Sequence, residues 1–250
     1  MQRAAGIATL VSVSCAAYLT ADFAHEGLGH AAACVALGGR VLMLSTTYAG
    51  CSVTSRLMDG AGPIVGILVA LAAWLWLRFV PQYSPATRAF FCLVFAFAAF
   101  WNVGYMCKSG LFDQGDWAFV IQGLEPRLPW HLGLAALGLL LYIAAIRACA
   151  KTLVLQKSVE GITPLRFTAV AYGSAALLSA AGAAFDPRGP FTIVSDALPS
   201  SLGAIGLLLA GLRLDQTNLR LSLPSSPSWI MIGSLSAVVF AAVLGPGLHF

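Results

Sequence analysis

The sequence predicts an all-α protein that crosses a membrane about seven times and carries a small β-hairpin between its first two membrane-spanning helices. Hydrophobic residues make up 59% of the 250 residues and charged residues only 10%, whereas charged residues are about 25% of soluble domains. The mean hydropathy is +0.84. Apolar runs of roughly 20 residues, the length that spans a bilayer, recur along the chain. We therefore expect a multi-pass integral membrane protein, located in the inner membrane of a bacterium.

The order of the apolar runs divides the chain into two parts of one membrane domain. The first run covers residues 4–37 and ends at Gly38 and Gly39. Residues 1–125 are expected to form a core of three spans with the hairpin, and residues 126–250 to add about four more spans. After the first run, spans are predicted over residues 60–80, 87–107, 130–146, 167–185, 198–212 and 229–248, with a turn over residues 81–85.

The segment after the first run has a different pattern. Residues 41–44 and 51–54 are short apolar or β-branched pieces, and residues 48–50 between them are typical of a turn. This pattern predicts a hairpin. An exposed strand edge can pair with an extended peptide, so the hairpin is also a candidate docking edge for a substrate. A Gly-Ala-Gly-Pro sequence at residues 60–63 is expected to open the next helix, where proline is tolerated.

The basic residues indicate a membrane and exclude a nucleic-acid-binding surface. The net charge is +4, and the 14 Lys and Arg residues are spread singly along the chain, which is typical of interfacial anchors and topology signals. Assigned alternately to the two sides, nine fall on the amino-terminal side and five on the other. The rule that cytoplasmic loops carry more Lys and Arg then places the amino terminus in the cytoplasm. The lipid bilayer is therefore an expected partner, and nucleic acid is not.

Ionisable residues are concentrated near the end of the first run. Asp22, His25, Glu26 and His30 lie within nine positions of a chain that has only ten acidic residues and four histidines. Ionisable side chains inside a spanning helix are functional candidates by default. The zinc motif His-Glu-x-x-His places two ligands on one helix face, with the Glu as general base. The sequence therefore predicts a Zn²⁺ site with His25 and His30 as ligands and Glu26 as the catalytic base.

The spacing of this motif predicts a helix distortion. The motif here is His-Glu-x-x-x-His, and residues at i and i+5 lie about 140° apart on a regular helix, compared with about 40° for i and i+4. A π-bulge would bring both rings to one face, and such bulges occur mostly at functional sites. Gly27 and Gly29 weaken the helix at this point. The alternative is a polar cluster between helices, in which Glu26 and His30 simply bond to each other.

A second group of polar residues follows the third predicted span. Asn102 lies near the end of that span, and residues 108–117 contain two acidic residues and two glycines. This broken segment could present a carboxylate to the two histidines. The candidates are Asp113 and Asp116, and the glycine immediately before Asp116 favours the second because it permits close approach of the backbone.

The first half of the chain resembles the site-2 protease family of intramembrane zinc metalloproteases. The resemblance rests on the His-Glu motif of an early spanning helix, a β-rich connection, the Ala-Gly-Pro sequence that follows, and an Asn ahead of a Gly/Asp segment. It covers roughly residues 10 to 120. The motif is one residue longer than in the family, and the prolines that the family has around its Asn are missing. The resemblance implies that His25, His30 and Asp116 bind zinc, Glu26 is the base and Asn102 holds the substrate.

These inferences predict a zinc metalloprotease that hydrolyses peptide bonds in or near the transmembrane segments of membrane-protein substrates. The resemblance implies a histidine helix running toward the cytosolic side, opposite to the direction given by the charge count. Two alternatives stay open: a membrane-embedded zinc hydrolase of another substrate, such as a lipid amide, and an inactive pseudoprotease or metal-handling module. The six cysteines lack a C-x-x-C pair and are expected to be small buried fillers. The loop of residues 186–190, together with Ser195 and Asp196, could roof the site, but a solvated turn is the expected structure.

Overall fold

The computed structural model describes residues 2–79, 85–158, 161–221 and 223–250. It is mostly helical with a small sheet, in agreement with the predicted class. Within the described residues, six helices are long and apolar enough to cross a membrane. They cover Gly6–Ala36, Arg56–Trp76, Pro85–Phe112, Arg127–Val154, Ile193–Asp215 and Pro227–Leu244.

The first span is one continuous helix with a widened segment. Helix α1 covers Gln2–Phe23, a π-helical segment covers Ala24–Ala31, and helix α2 covers Ala32–Ala36. The helix ends at Ala36, and Gly38 beyond it has a φ of +77°, which a residue with a side chain rarely adopts. The distortion predicted between His25 and His30 is confirmed.

The hairpin is present, but its second strand begins earlier than predicted. Strand β1 covers Val41–Leu44 and pairs antiparallel with β2, which covers Ala49–Cys51. The turn therefore lies between Leu44 and Ala49, where the Ser45 N–H donates to the Tyr48 carbonyl. Beyond β2, Ser52 still contacts Arg40, since its amide donates to the Arg40 carbonyl and its hydroxyl accepts a hydrogen bond from the Arg40 amide. The sheet gains a third strand from the end of the chain, β5 at Leu248–His249, which pairs with β1. Its order is β2-β1-β5.

Helices α3 and α4 form most of the wall around the motif. Helix α3 covers Arg56–Trp76 and starts earlier than predicted because the Ser55 hydroxyl accepts a hydrogen bond from the Leu57 amide as an N-cap. Pro63 consequently lies inside this helix and not at its start. Helix α4 covers Pro85–Phe112 and is followed by the short helix α5, Asp116–Ile121. The predicted turn over residues 81–85 lies outside the described residues except for its last member.

The second half adds the remaining helices. Helix α6 covers Arg127–Val154 and α7 covers Pro164–Ala183. The next span consists of a π-helical segment at Ile193–Ala197, α8 at Leu198–Leu202, a 3-10 turn at Gly203–Ile205 and α9 at Gly206–Asp215. The last span joins α10, Pro227–Val238, to a π-helical segment at Val239–Leu244. Strands β3, Lys157–Ser158, and β4, Arg220–Leu221, form a second sheet.

The helices divide into central and peripheral members. In the most apolar 18-residue stretch of the first span, 67% of the residues are buried within the protein, and in that of α4 72% are. The corresponding shares are 11% for α6 and 17% for the last span. Large apolar side chains on the peripheral helices, such as Leu140 and Leu235, are exposed. An outer surface of this kind suits a protein embedded in a membrane.

The expectation that all cysteines are buried fillers is wrong for two of them. Cys34 in α2 and Cys51 in β2 form a disulfide, although they are separated by 17 residues. The hairpin folds back over the end of the histidine helix and brings the two sulfurs together, a proximity that the spacing of the cysteines does not reveal. Cys15, Cys92 and Cys149 are buried and free, and Cys107 is free and partly buried.

Candidate metal centre

The widened segment brings the two histidines of the motif together. The Nε2 atoms of His25 and His30 lie 3.2 Å apart, and both residues are buried. Their rings meet edge to face. The indole of Trp101 stacks on the His25 ring at a centroid separation of 4.5 Å and holds it from the side. The π-helical turn therefore places two residues that are five apart on one face.

The orientation of each imidazole is set by a hydrogen bond at Nδ1. His30 Nδ1 lies 2.8 Å from the Met58 carbonyl oxygen. His25 Nδ1 lies 2.7 Å from Asn102 Oδ1, and the amide of Asn102 is itself fixed because its Nδ2 donates to the Ala98 carbonyl. Both Nδ1 atoms thus face groups that accept hydrogen bonds, so in the neutral rings both protons lie on Nδ1.

This assignment leaves two lone pairs facing each other. With the protons on Nδ1, neither Nε2 can donate a hydrogen bond to the other, and two buried acceptors at 3.2 Å repel. A cation between them removes the conflict. A backbone carbonyl or an amide at Nδ1 is also the usual outer partner of a metal-binding histidine. The donor set of the site therefore suits a metal ion.

Asp116 completes a set of three ligand atoms. Its Oδ2 lies 3.1 Å from His25 Nε2, and its Oδ1 lies 3.7 Å from His30 Nε2. Zinc bonds of about 2.0–2.2 Å in a tetrahedral arrangement separate ligand atoms by about 3.3–3.6 Å, so these residues fit the ion. The other candidate, Asp113, lies elsewhere: its half-exposed carboxylate is 2.6 Å from Arg127 Nη2.

Glu26 lies beside the ligand atoms and is also buried. Its Oε1 is 3.9 Å from His25 Nε2, and the ligand atoms of Glu26 and the two histidines all lie within 4.8 Å of one another. Within the described residues its Oε2 has no hydrogen-bond partner. A buried carboxylate with a free oxygen is expensive unless it serves a ligand or a reaction. The arrangement leaves Glu26 available to accept a proton.

Asn102 has no free polar atom for a substrate. The residue is fully buried, its Oδ1 faces His25, and its Nδ2 is used by Ala98. The substrate-holding role predicted for it stays a prediction, and its contacts are those of a residue that positions His25.

Two glycines of α3 make room for these side chains. A Cβ on Gly62 would overlap the His30 ring, and a Cβ on Gly66 would overlap the Asn102 amide. Gly29 of the π-helical segment faces Gly62 at a distance that no side chain would permit. The two glycines, four apart, let the helices approach closely in the manner of small-residue contacts between membrane helices.

The histidines lie in the wall of a cavity of about 350 Å³. The hairpin turn contributes Thr47 and Tyr48 to its lining, and the connection after α7 contributes Arg188. Sequence reasoning does not single out Thr47 and Tyr48, since they belong to no motif, whereas it leaves open that the loop containing Arg188 roofs the site. Asp196, which the sequence pattern assigns to the same loop, and Ser200 also line the cavity. No motif marks Ser200.

The connection after α7 is tied to the hairpin and is not a solvated turn as predicted. The buried carboxylate of Asp186 accepts a hydrogen bond from the Thr47 hydroxyl at 2.5 Å, and the Arg188 guanidinium binds it at 3.0 Å. Burial alone would raise the pKa of Asp186, but the hydrogen bonds from Arg188 and Thr47 outweigh it and lower the pKa below its ordinary value. Arg188 also lies over the Tyr48 ring. The hairpin turn is therefore held against the cavity.

Searches against protein-family models, curated proteins and solved structures found no significant match. The assignment of a function therefore rests on the arrangement of the site itself.

Proposed function

We propose that the protein is an intramembrane zinc peptidase, a divergent relative of the site-2 protease family. One observation carries the proposal: the Nε2 atoms of His25 and His30 meet at 3.2 Å beside the Asp116 carboxylate, while both Nδ1 atoms are occupied. A metal ion can bond all three of these atoms at once, whereas a proton on one Nε2 can join only one pair of them. Two imidazoles and one carboxylate are a common ligand set of catalytic zinc, which keeps a fourth position open.

The residues around the site have distinct roles in this proposal. Zinc would lower the pKa of a water molecule to about 7. Glu26 takes the proton of the attacking water and returns it to the leaving amine, as a general base and then a general acid. Asn102 and the Met58 carbonyl hold the two imidazoles with Nε2 toward the cavity. The closed packing of α3 against the histidine helix excludes water from the back of the site.

The position of the site suits a membrane-protein substrate. His30 precedes the end of its helix at Ala36 by six residues, about 9 Å along the axis, so the cavity lies just below the end of the helix bundle. The edge strand β2 begins at Ala49, which lines the cavity. An unwound segment at the end of a transmembrane helix could extend along this strand and place a peptide bond at the histidines.

The pairing of β3 with β4 supports seven membrane crossings. Strands β3 and β4 pair, so residues 157–158 and 220–221 lie at one end of the bundle. Helix α7 and the span Ile193–Asp215 lie between them in the chain, and an even number of crossings is needed to return to the same end. Helix α7 is not among the six strongly apolar helices, because it is rich in Ala, Gly and Ser, and we propose that it is the seventh crossing.

The metal content of the purified protein tests the zinc site. We expect about one zinc per wild-type chain and strong loss in His25→Ala, His30→Ala and Asp116→Ala. Asp113→Ala is the matched control, since it removes a nearby carboxylate that is paired with Arg127. Zinc retained in both histidine variants, or lost equally in Asp113→Ala, would reject the site as described.

The role of Glu26 separates an enzyme from a metal-handling module. In Glu26→Gln the side chain keeps its shape but cannot accept the proton. Zinc should therefore stay bound, while the rate of hydrolysis falls by about 100-fold or more. The assay is cleavage of single-span membrane proteins, with amide lipids tested in parallel for the alternative substrate class. Wild-type protein that binds zinc but cleaves neither class would favour the non-catalytic alternative.

A further inference from the structure

The strand pairings and loop contacts define two ends of the helix bundle. The site end contains the hairpin, the α4–α6 connection, the α7–α8 connection and the carboxyl terminus. Contacts join these parts: β5 pairs with β1, Thr47 bonds Asp186, and Arg56 donates to the Gln122 carbonyl. The opposite end contains the pairing of β3 with β4 and the start of the first helix, where Thr9 accepts a hydrogen bond from the Ser226 amide.

The basic residues are distributed unequally between these ends. Eight of those with described side chains lie at the opposite end and five at the site end. At the opposite end they are Arg78, Arg88, Arg147, Lys151, Lys157, Arg166, Arg213 and Arg220, and at the site end Arg40, Arg56, Lys108, Arg127 and Arg188. Loops rich in Lys and Arg stay in the cytoplasm. The distribution places the site end on the other side of the membrane.

The disulfide independently indicates the same orientation of the site end in the membrane. Cys34 and Cys51 join the end of the histidine helix to the edge strand, at the site end. Disulfides form and persist in oxidising compartments and are rare in the cytosol. A disulfide at this end is therefore compatible with an extracytoplasmic location and unfavourable for a cytoplasmic one.

We propose that the cavity opens on the extracytoplasmic face of the membrane, opposite to the direction that the resemblance to the site-2 proteases implies. Its substrates are then the outer juxtamembrane segments of membrane proteins. The first part stands on the two observations above, and the substrate class rests on the proposed peptidase function. The cavity is lined by the hairpin turn, the α7–α8 connection and α5, all of which belong to the site end. A peptide therefore reaches the histidines from that face.

Cysteine labelling of intact cells tests the orientation without any assay of activity. Glu125→Cys places a thiol on an exposed position of the site end, and Gln216→Cys places one on an exposed position of the opposite end. A membrane-impermeant sulfonated maleimide should label Glu125→Cys in intact cells and Gln216→Cys only after lysis. Wild type measures the background of its four free cysteines. The reverse pattern would overturn the proposal.

The oxidation state of the native cysteines provides a second readout. Cells are quenched with acid and the denatured protein is treated with a maleimide-polyethylene glycol, which shifts its mobility for each free thiol. Wild type should show two more reactive thiols after reduction than before, and the double variant Cys34→Ala, Cys51→Ala should show no change on reduction. Full reactivity of wild type without reductant would contradict the disulfide and the orientation drawn from it.

Two single-span reporters distinguish the parts of the proposal. They carry the same helix-breaking segment at the outer or at the inner end of their transmembrane helix. Glu26-dependent cleavage of the outer reporter alone supports both parts, and cleavage of the inner reporter alone overturns the substrate class. If maleimide labelling confirms the orientation but neither reporter is cleaved, the peptidase function and the substrate class that rests on it fail, whereas the orientation stands.

Discussion

At the scale of single residues, the hydrogen bond between Asn102 and His25 indicates a positioning role for Asn102. The resemblance to the protease family implies that this residue holds the substrate, whereas the structure uses both of its polar groups inside the protein. Removing an outer partner of a metal-binding histidine typically costs 10- to 100-fold in metal affinity. The two roles therefore predict different measurements.

We expect Asn102→Leu to weaken zinc binding by roughly 10- to 100-fold, because His25 loses the acceptor that fixes its tautomer. Asn102→Asp keeps an acceptor at this place and should retain more zinc than Asn102→Leu. Zinc affinity is measured by competition with a chelator of known affinity. Unchanged affinity in Asn102→Leu together with a raised KM would instead support the substrate role.

Gly62 makes a second prediction at this scale. A Cβ at this position would overlap the His30 ring, so Gly62→Ala should displace that ring, reduce zinc binding and cost about 1–3 kcal/mol as an overpacked contact. Gly133→Ala on α6 is the control, since no atom lies within 4 Å of its added Cβ. Zinc content and thermal unfolding in detergent are compared for the two variants. Equal behaviour would show that the contact between the π-helical segment and α3 can relax.

At the scale of elements, the hairpin presents one open edge to the cavity. The Ser45 amide donates to the Tyr48 carbonyl, so these two residues form a hydrogen-bonded pair. In an antiparallel ladder, hydrogen-bonded pairs alternate with pairs whose amides and carbonyls point outward. At the next pair, Leu44 with Ala49, the amide of Ala49 therefore points away from β1. On the other side β1 is covered by β5, so β2 supplies the edge that a peptide could join.

We therefore expect Ala49→Pro to lower cleavage of a membrane substrate while zinc content stays normal, because proline removes the outward amide. A proline at Val53 tests the docking edge less directly, because Val53 lies beyond β2 and its amide faces Cys51 Sγ. Val53→Pro serves as the comparison. Cleavage that is unaffected by Ala49→Pro in folded protein would exclude this edge as the docking strand.

At the scale of the whole molecule, the site links parts of the chain that are otherwise joined by loops. The proposed ligands come from the first span and from α5, more than 80 residues later, and Met58 and Asn102 connect them to α3 and α4. Zinc that binds only the folded state should stabilise this arrangement. At a free zinc concentration 100 times the Kd, the gain is about 2.7 kcal/mol.

The expected result is a higher Tm for wild type with zinc than with a strong chelator, and no zinc-dependent change for His25→Ala. The measurement is thermal unfolding in detergent at fixed protein concentration. A zinc-independent Tm in wild type would mean that the four elements are held by helix packing alone, without a contribution from the ion.

The sequence by itself determined the membrane class, the break after α4 and the distortion of the histidine helix, because these follow from local composition and from helix periodicity. If His25 and His30 are to share one face at i, i+5, the turn between them must be widened. Only the tertiary structure decided which groups surround the histidines. The contact of Asn102 with His25, the disulfide, the pairing of β5 and the approach of Arg188 join positions far apart in the chain, and their geometry depends on how the helices pack, which no local pattern encodes.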